Sequence, residues 1–390
     1  MLDNIPCLLI GDELKDSLQV LPEYDRSVMT APVSDRLISL SNIYDIFYPS
    51  PMACEVYYKL YFAFANSIKR KTTSKTAYGI SGGTDSFTII GASGVGKSTA
   101  IGRAIKIISN DDILLINNSK VIPFIVVQTP SDASIKGVLL ELLRLVDARL
   151  ETRYYNDAVR SRATLDMLIG LASKVCLNHI SVLIFDEIQN ITEHKNNRSF
   201  VNAIVQLINS SGVSICFVGT PDCNRFFESA FHLARRSIGL TFNAFEYDDN
   251  FISMCNTIFR YQYTSKYSPL TQDIVNWLYI HSGGVASVVM GLIASAQEIA
   301  ILSGSDTLNL ESLTQAYSGR FQMLHSHLNI YHRQKYISQM KSKDTPVDLL
   351  TSKEEPMDFS LSELLYKIKK EHLNPLDYLL KYISVEVIRI

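Results

Sequence analysis

The sequence predicts an α/β fold, a parallel sheet followed by a small C-terminal helical lid. Three observations lead there. Short β-branched and apolar runs alternate with helical patterns between Phe87 and Val218, as parallel strands joined by helical crossovers do. Val182–Phe185 is apolar throughout and Val213–Val218 nearly so, which suits strands buried on both faces. After Phe245 helical spacing takes over, with no convincing strand.

Composition narrows the class of protein. The chain has 390 residues, 47% of them hydrophobic, long and apolar enough for one large core plus a smaller unit. The 37 basic side chains nearly balance the 39 acidic ones. That excludes a polybasic binder, although a locally basic surface remains open. The six cysteines are scattered without a CxxC pair, as expected of reduced core residues. His325, His327 and His332 have no cysteine pair or HExxH beside them, so no metal cluster is expected. Asp3, Asp12 and Glu13 interrupt the only early apolar stretch, and Gln297 and Glu298 interrupt Gly284–Leu302. Neither a signal peptide nor a membrane span is expected. The expectation is a soluble, cytoplasmic protein.

In chain order, residues 1–50 are punctuated by prolines and read as irregular. Val56, Leu60, Ala63 and Phe64 then recur at helical spacing, and Lys69-Arg70-Lys71 closes that helix with cations. Thr72–Asp85, rich in Ser, Thr and Gly, reads as a loop. Phe87–Ile90 is a strand, followed by a helix from Lys97 to about Ile108. Ile122–Val127 is the next strand, leading into a helix carrying Ile135, Val138, Leu139, Leu142 and Leu143. Further helices are expected over Val159–Cys176 and Phe200–Ile208, and in the lid over Phe251–Arg260, Thr271–His281, Val285–Leu302 and Leu310–Phe321. The expected units are an N-terminal extension and helix (1–75), a P-loop α/β domain (76–245), the helical lid (246–330), and a linker with an amphipathic tail (331–390).

The chemistry lies in three motifs at strand ends. Gly91-Ala92-Ser93-Gly94-Val95-Gly96-Lys97-Ser98-Thr99 satisfies G-x-x-x-x-G-K-[ST] between a strand and a helix. Such a loop turns backbone N–H groups onto phosphates at a helix N-terminus. Lys97 reaches the β- and γ-phosphates, and the Ser98 hydroxyl takes Mg²⁺. The implied ligands are ATP and Mg²⁺. Val182–Phe185 ends in Asp186-Glu187. Asp186 suits the metal, and Glu187 can polarise an attacking water, which favours hydrolysis over transfer to a small molecule. Thr220, in Val218-Gly219-Thr220-Pro221, either senses the γ-phosphate or caps the next turn. Arg235 and Arg236 are either a finger reaching a neighbouring subunit's nucleotide or an ordinary surface pair.

These motifs, in this order, resemble the TnsC/TniB family of AAA+ transposition regulators. The wording VVQTPSDASIKGVLLELL, LIFDEIQNI, FVGTPD, RR and HSGG is similar, as is FYPSPMACEVYYKLYFAF before the P-loop. The resemblance covers roughly residues 25–325. Its P-loop and Asp-Glu are common to AAA+ ATPases, whereas DEIQN with GTPD is more specific to this family. It implies an ATPase that assembles on double-stranded DNA as a ring or helical filament, and that connects a target-site selector to a transposase. On that pattern Lys97, Ser98, Asp186, Glu187 and Thr220 carry over, with Arg235 or Arg236 as the finger. One departure stands out. Many AAA+ lids have an arginine shortly after the glycine pair, but Gly283-Gly284 is followed here by Val285, Ala286, Ser287 and Val288. A slow hydrolysis, or one controlled by partners, is expected.

DNA contacts are expected from Lys136, Arg153 and Lys195, within clusters that also hold Arg149, Arg160, Arg162 and Arg198. They suit phosphate tracking without base readout, and an ordinary solvated surface explains them equally. Two rival readings share the ATP site: a loader or motor for replication or recombination, and a nucleotide-gated signalling or defence ATPase.

Overall fold

A computed structural model describes residues 5–73, 86–129, 134–192, 197–223 and 238–327. The N-terminal segment carries α1 (Gly11–Leu18), α2 (Val33–Ser39) and α3 (Asn42–Asp45), followed by the long α4 (Pro51–Thr73). Alternation then runs through β1 (Phe87–Ile90), α5 (Lys97–Ile108), β2 (Leu114–Ile116), β3 (Ser119–Gln128), α6 (Ile135–Leu150), α7 (Tyr154–Arg160) and α8 (Leu165–His179). It continues with β4 (Ile180–Asp186), α9 (Gln189–Thr192), α10 (Asn197–Ser211), β5 (Ser214–Gly219) and β6 (Ile238–Thr241). Four helices follow: α11 (Asp249–Phe259), α12 (Gln272–Ser282), α13 (Ala286–Ser303) and α14 (Leu310–Ala316).

The six strands form one sheet in the order β2-β3-β4-β5-β1-β6, parallel except for the β2–β3 hairpin. The chain leaves β1 toward β3 and later returns to β6 on the other side of β1. That makes the C-terminal end of β1 the switch point where α/β sheets bind ligands. Strand side chains alternate between faces, and every residue of β4 is buried. Leu183 and Phe185 join Ile215 and Phe217 beneath α6, α8 and α10. Val182 and Ile184 join Ile89, Cys216 and Val218 beneath α1, α4 and α5. At roughly 1.5–3 kcal/mol for each large apolar side chain buried, these two layers hold β4 in register between β3 and β5.

Charged ends are used inside the fold. Lys71, in the last turn of α4, donates to the carbonyls of Cys176 and Leu177 near the C-terminus of α8, where the helix dipole favours a cation. Burial brings its ammonium pKa down to about 8. Arg103 of α5 donates to the carbonyls of Ser17 and Leu18 and so fastens α1.

Several expectations are corrected. The described part of residues 1–50, from residue 5 on, is not irregular: its helices pack into both the sheet core and the helical segment. Leu14 and Leu18 enter the former, and Leu40, Ile43 and Ile46 enter the latter. The expected helix Val159–Cys176 is two, α7 and α8, broken at Arg162 (φ 49°) and restarted where the Thr164 hydroxyl accepts from Met167 N–H. β2 was not expected. It is joined to β3 through Asn117 and Asn118, both at positive φ, a two-residue hairpin that asparagine tolerates. β6 was not expected either, and α14 passes at Tyr317 into one π-helical turn, Tyr317–Phe321. Ala286–Ser303 is the one described helix long and apolar enough to cross a membrane, and it forms the centre of the helical cluster. The expected linker and tail, 331–390, lie outside the described residues.

The N-terminal segment is tied to the helical segment by polar contacts. Tyr24 donates to the Gln262 carbonyl at 2.5 Å, Tyr261 to the Pro22 carbonyl at 2.9 Å, and Arg36 to both Tyr263 O (3.2 Å) and Asp306 Oδ1 (2.6 Å). Burial pushes the Asp306 carboxyl up, but the hydrogen bonds from Arg36 and Ser265 outweigh it and hold the pKa below its ordinary value. A depressed carboxyl pKa adds stability above its unfolded-state value, and that stability is lost as pH falls through the folded-state value. Asp306→Asn tolerates the positive φ of this residue (52°) but leaves the buried Arg36 without a counter-charge. We expect it to cost about 3 kcal/mol in urea unfolding at neutral pH, and to flatten the loss of stability on acidification.

Candidate functional site

Three adjacent strands, β4, β5 and β1, end together. Ile90 is level with Gly219, Phe185 is level with Phe217, and Gly91 N–H donates to the Gly219 carbonyl at 3.1 Å. The three motifs read from the sequence therefore meet at one edge. Between β1 and α5 the loop turns through Gly94 (φ 79°) and Gly96 (φ 103°), left-handed conformations that turn successive N–H groups inward. Lys97 opens α5 and donates to the loop's own carbonyls, Gly91 O at 2.7 Å and Ala92 O at 2.8 Å. Burial lowers its pKa, opposed by the nearby Glu187 and Asp186 carboxylates.

The Ser98 hydroxyl donates to Asp186 Oδ2 at 3.1 Å, and Asp186 Oδ1 accepts from Glu187 N–H at 2.9 Å. A hydroxyl against a buried carboxylate beside a phosphate loop is the hard-oxygen set that Mg²⁺ takes, so these residues fit the ion. When bound, Mg²⁺ would supply Lewis-acid charge neutralisation at the phosphates. Glu187 is exposed into the cleft and sits at positive φ (57°). Its carboxylate accepts from the Gln189 side-chain amide, whose Oε1 in turn accepts from Thr220 N–H at 3.2 Å. The Thr220 hydroxyl donates to Asp222 at 3.1 Å. It does not cap the turn Pro221–Cys223, which closes through Cys223 N–H on the Thr220 carbonyl.

Ser93–Thr99, Glu187, Gln189 and Thr220 line a cleft of about 620 Å³ that also takes in Tyr48, Phe245 and Met290. Its far wall is thus built by the N-terminal and helical segments and is aromatic and soft, the kind of surface a planar base stacks on. Ser287 N–H, at the start of α13, lies 3.4 Å from the Gly94 carbonyl. The helical segment therefore touches the phosphate loop directly. Among the described residues lining the cleft, Lys97 is the one cation.

Gly91, Ser93, Gly94, Val95, Gly96, Lys97, Ser98, Thr99, Asp186, Glu187 and Thr220 are thus brought together. Arg235, Arg236 and Lys195 lie outside the described residues. Lys136 and Arg153 are exposed and stand apart from the cleft, and Lys136 donates to the Ala163 carbonyl at 3.2 Å. Arg149, named in the same basic cluster, is committed to the Phe124 carbonyl at 2.6 Å. Sequence reasoning missed Gln189, although it stands in DEIQN, and missed the aromatic wall, which only the tertiary fold assembles.

Fold and site together define the class: an AAA+ P-loop nucleotide-binding protein. Residues 62–246 match the family model described as bacterial TniB protein, so the resemblance read from the motifs is shown across that stretch. No match is found among curated proteins. Among solved structures, the chain is similar to the Aeropyrum pernix ORC1 protein in complex with DNA, at 13% identity and a TM-score of 0.45. That likeness covers 67% of this chain and 64% of that one. It is also similar to Cdc6p from Pyrobaculum aerophilum, at 13% identity and 0.45, covering 76% and 71%. Domain III of the Thermotoga maritima replication initiation protein DnaA gives 12% identity and 0.35, covering 66% and 90%. At these values the likeness decides nothing about this chain.

The contact between Gly94 and Ser287 is open to test. A Cβ on Gly94 would lie 2.4 Å from Ser287 Oγ, and the positive φ adds roughly 1–2 kcal/mol of strain. We expect Gly94→Ala to weaken ATP binding at least roughly tenfold in a fluorescence titration. Adding Ser287→Ala should recover only part of the loss, because it relieves the clash but not the strain.

Proposed function

We propose that this protein binds Mg·ATP, assembles as a ring or filament on double-stranded DNA, and connects a target-site selector to a transposase, with hydrolysis controlling disassembly. One observation supports the reading: Ser98 against Asp186, beside the glycine-rich loop and Glu187, on three adjacent strand ends inside a segment that matches the TniB family model. Lys97 binds the terminal phosphates, Ser98 and Asp186 hold Mg²⁺, Glu187 polarises water and Thr220 reports on the γ-phosphate. Arg235 or Arg236 completes a neighbour's site. Because Lys97 is the one cation among the described residues of the cleft, a partner or a second subunit supplies further positive charge, and hydrolysis by the isolated chain is slow. The protein works in the cytoplasm, where DNA and ATP are at hand.

Lys136, Arg153 and Lys195 contact DNA phosphates. Side-by-side assembly adds the contacts of each subunit, so ATP strengthens binding. Fluorescence anisotropy on duplexes of unrelated sequence, across salt, with and without a non-hydrolysable ATP analogue, tests the reading. Affinity should rise with nucleotide, depend little on sequence and fall steeply with salt. Each of the three charges removed should lower the salt slope by about one unit. Lys97→Ala should lose the nucleotide effect. Binding that ignores both nucleotide and salt would reject the reading and favour a signalling ATPase.

A further inference from the structure

Two residues just past the Asp-Glu pair, beyond Ile188, tie the end of β4 to both of its neighbours. Gln189 spans the gap to β5: its side-chain NH₂ donates to Glu187 Oε2, and its Oε1 accepts from Thr220 N–H at 3.2 Å. Asn190 spans the gap to β3, its side-chain NH₂ donating to the Thr129 carbonyl at 2.8 Å, while its own N–H closes a turn on the Glu187 carbonyl at 3.1 Å. An amide has one donating and one accepting end. The backbone N–H of Thr220 can only donate, so it claims the Gln189 oxygen and turns the NH₂ onto the carboxylate. The side chain has little freedom to leave. A Cβ on Gly219 would meet Gln189 Oε1 at 2.8 Å and Cys223 Sγ at 2.4 Å, so Gly219 leaves room for the amide and little more.

Resting on the hydrolytic reading above, we infer that Gln189 is a positioning residue for Glu187: it fixes the carboxylate that polarises water and couples it to the Thr220 backbone at the end of β5. Asn190 holds the turn from which Gln189 reaches across. Glu187 itself is exposed, with a long side chain, and its backbone is left-handed. Alone it would sample several rotamers, and a general base displaced by about 1 Å loses on the order of a hundredfold in rate. The brace also makes the two sensing elements move together. A shift of Thr220 toward a γ-phosphate drags the amide, and the amide drags the carboxylate.

The test is steady-state phosphate release by the full chain with Mg·ATP and duplex DNA, run beside nucleotide affinity measured with a fluorescent ATP analogue. Gln189→Leu removes the hydrogen bonds to Glu187 and Thr220 at similar volume. Gln189→Glu keeps the acceptor for Thr220 N–H and removes the donor to Glu187. Both should lower kcat at least roughly tenfold while leaving nucleotide affinity within about twofold, which also shows that the variants fold. In a Glu187→Gln background, where there is no carboxylate left to position, Gln189→Leu should cause no further loss. Unchanged turnover in Gln189→Leu, or a loss that multiplies with that of Glu187→Gln, overturns the inference. If Glu187→Gln turns over at the wild-type rate, the hydrolytic assignment falls and this inference with it. If Glu187→Gln is inactive and Gln189→Leu active, only the positioning role falls.

Discussion

The contact between the Ser98 hydroxyl and the Asp186 carboxylate joins two segments 88 positions apart in sequence, and the rest of the site depends on it. It exists only because β1 and β4 end at the same level with β5 between them. That level is set by burial. Every residue of β4 packs in a core, so a slip of one residue would exchange Leu183 and Phe185 with Val182 and Ile184 and misfit the packing of both layers. The apolar run that precedes Asp186 therefore serves as the ruler that places a carboxylate beside a phosphate loop.

Around that fixed point the structure spends its polar groups on holding the loops. Lys97 is paired with the carbonyls of its own loop, Gln189 joins the ends of β4 and β5, and Asn190 joins β4 to β3. Buried or half-buried donors and acceptors need such partners, and each pairing removes a degree of freedom from a side chain the chemistry needs. The far wall of the cleft is made differently, from the N-terminal and helical segments, which share one apolar cluster through Leu40, Ile43 and Ile46. The ion pair of Arg36 with Asp306 and the tyrosine contacts around Pro22 and Gln262 lock those segments together. The aromatic wall is thereby coupled to the helix whose first turn touches Gly94.

Much of the candidate site was legible in advance because its signals are local. A glycine-rich turn between strand and helix, and an apolar run ending in two carboxylates, each announce themselves within a few residues. Gln189 was legible too, being part of a motif, but its task was not. Glutamine carries no charge, and its bonds to Glu187 and Thr220 reach one residue nearby and another at the end of the next strand. Arg149 shows the opposite failure. By sequence it is one of several exposed cations, and it stays exposed, but the fold engages its guanidinium with the Phe124 carbonyl, as it does the Lys136 ammonium with that of Ala163. The N-terminal segment was misread because its helices are short, at most eight residues, and they form only against partners far along the chain.

By itself, then, the sequence determined the class of sheet, the phosphate loop, the two carboxylates and the helical character of the chain after Phe245. These rest on residue type and short-range periodicity, which a linear reading carries. Only the tertiary structure decided the strand order that sets Thr220 between the other two motifs, the aromatic wall of the cleft, and the contact of α13 with the phosphate loop. It also decided which polar side chains face the site and which are spent on backbone carbonyls. Those are pairings between distant segments, selected by the mutual burial of faces that no single segment can satisfy alone.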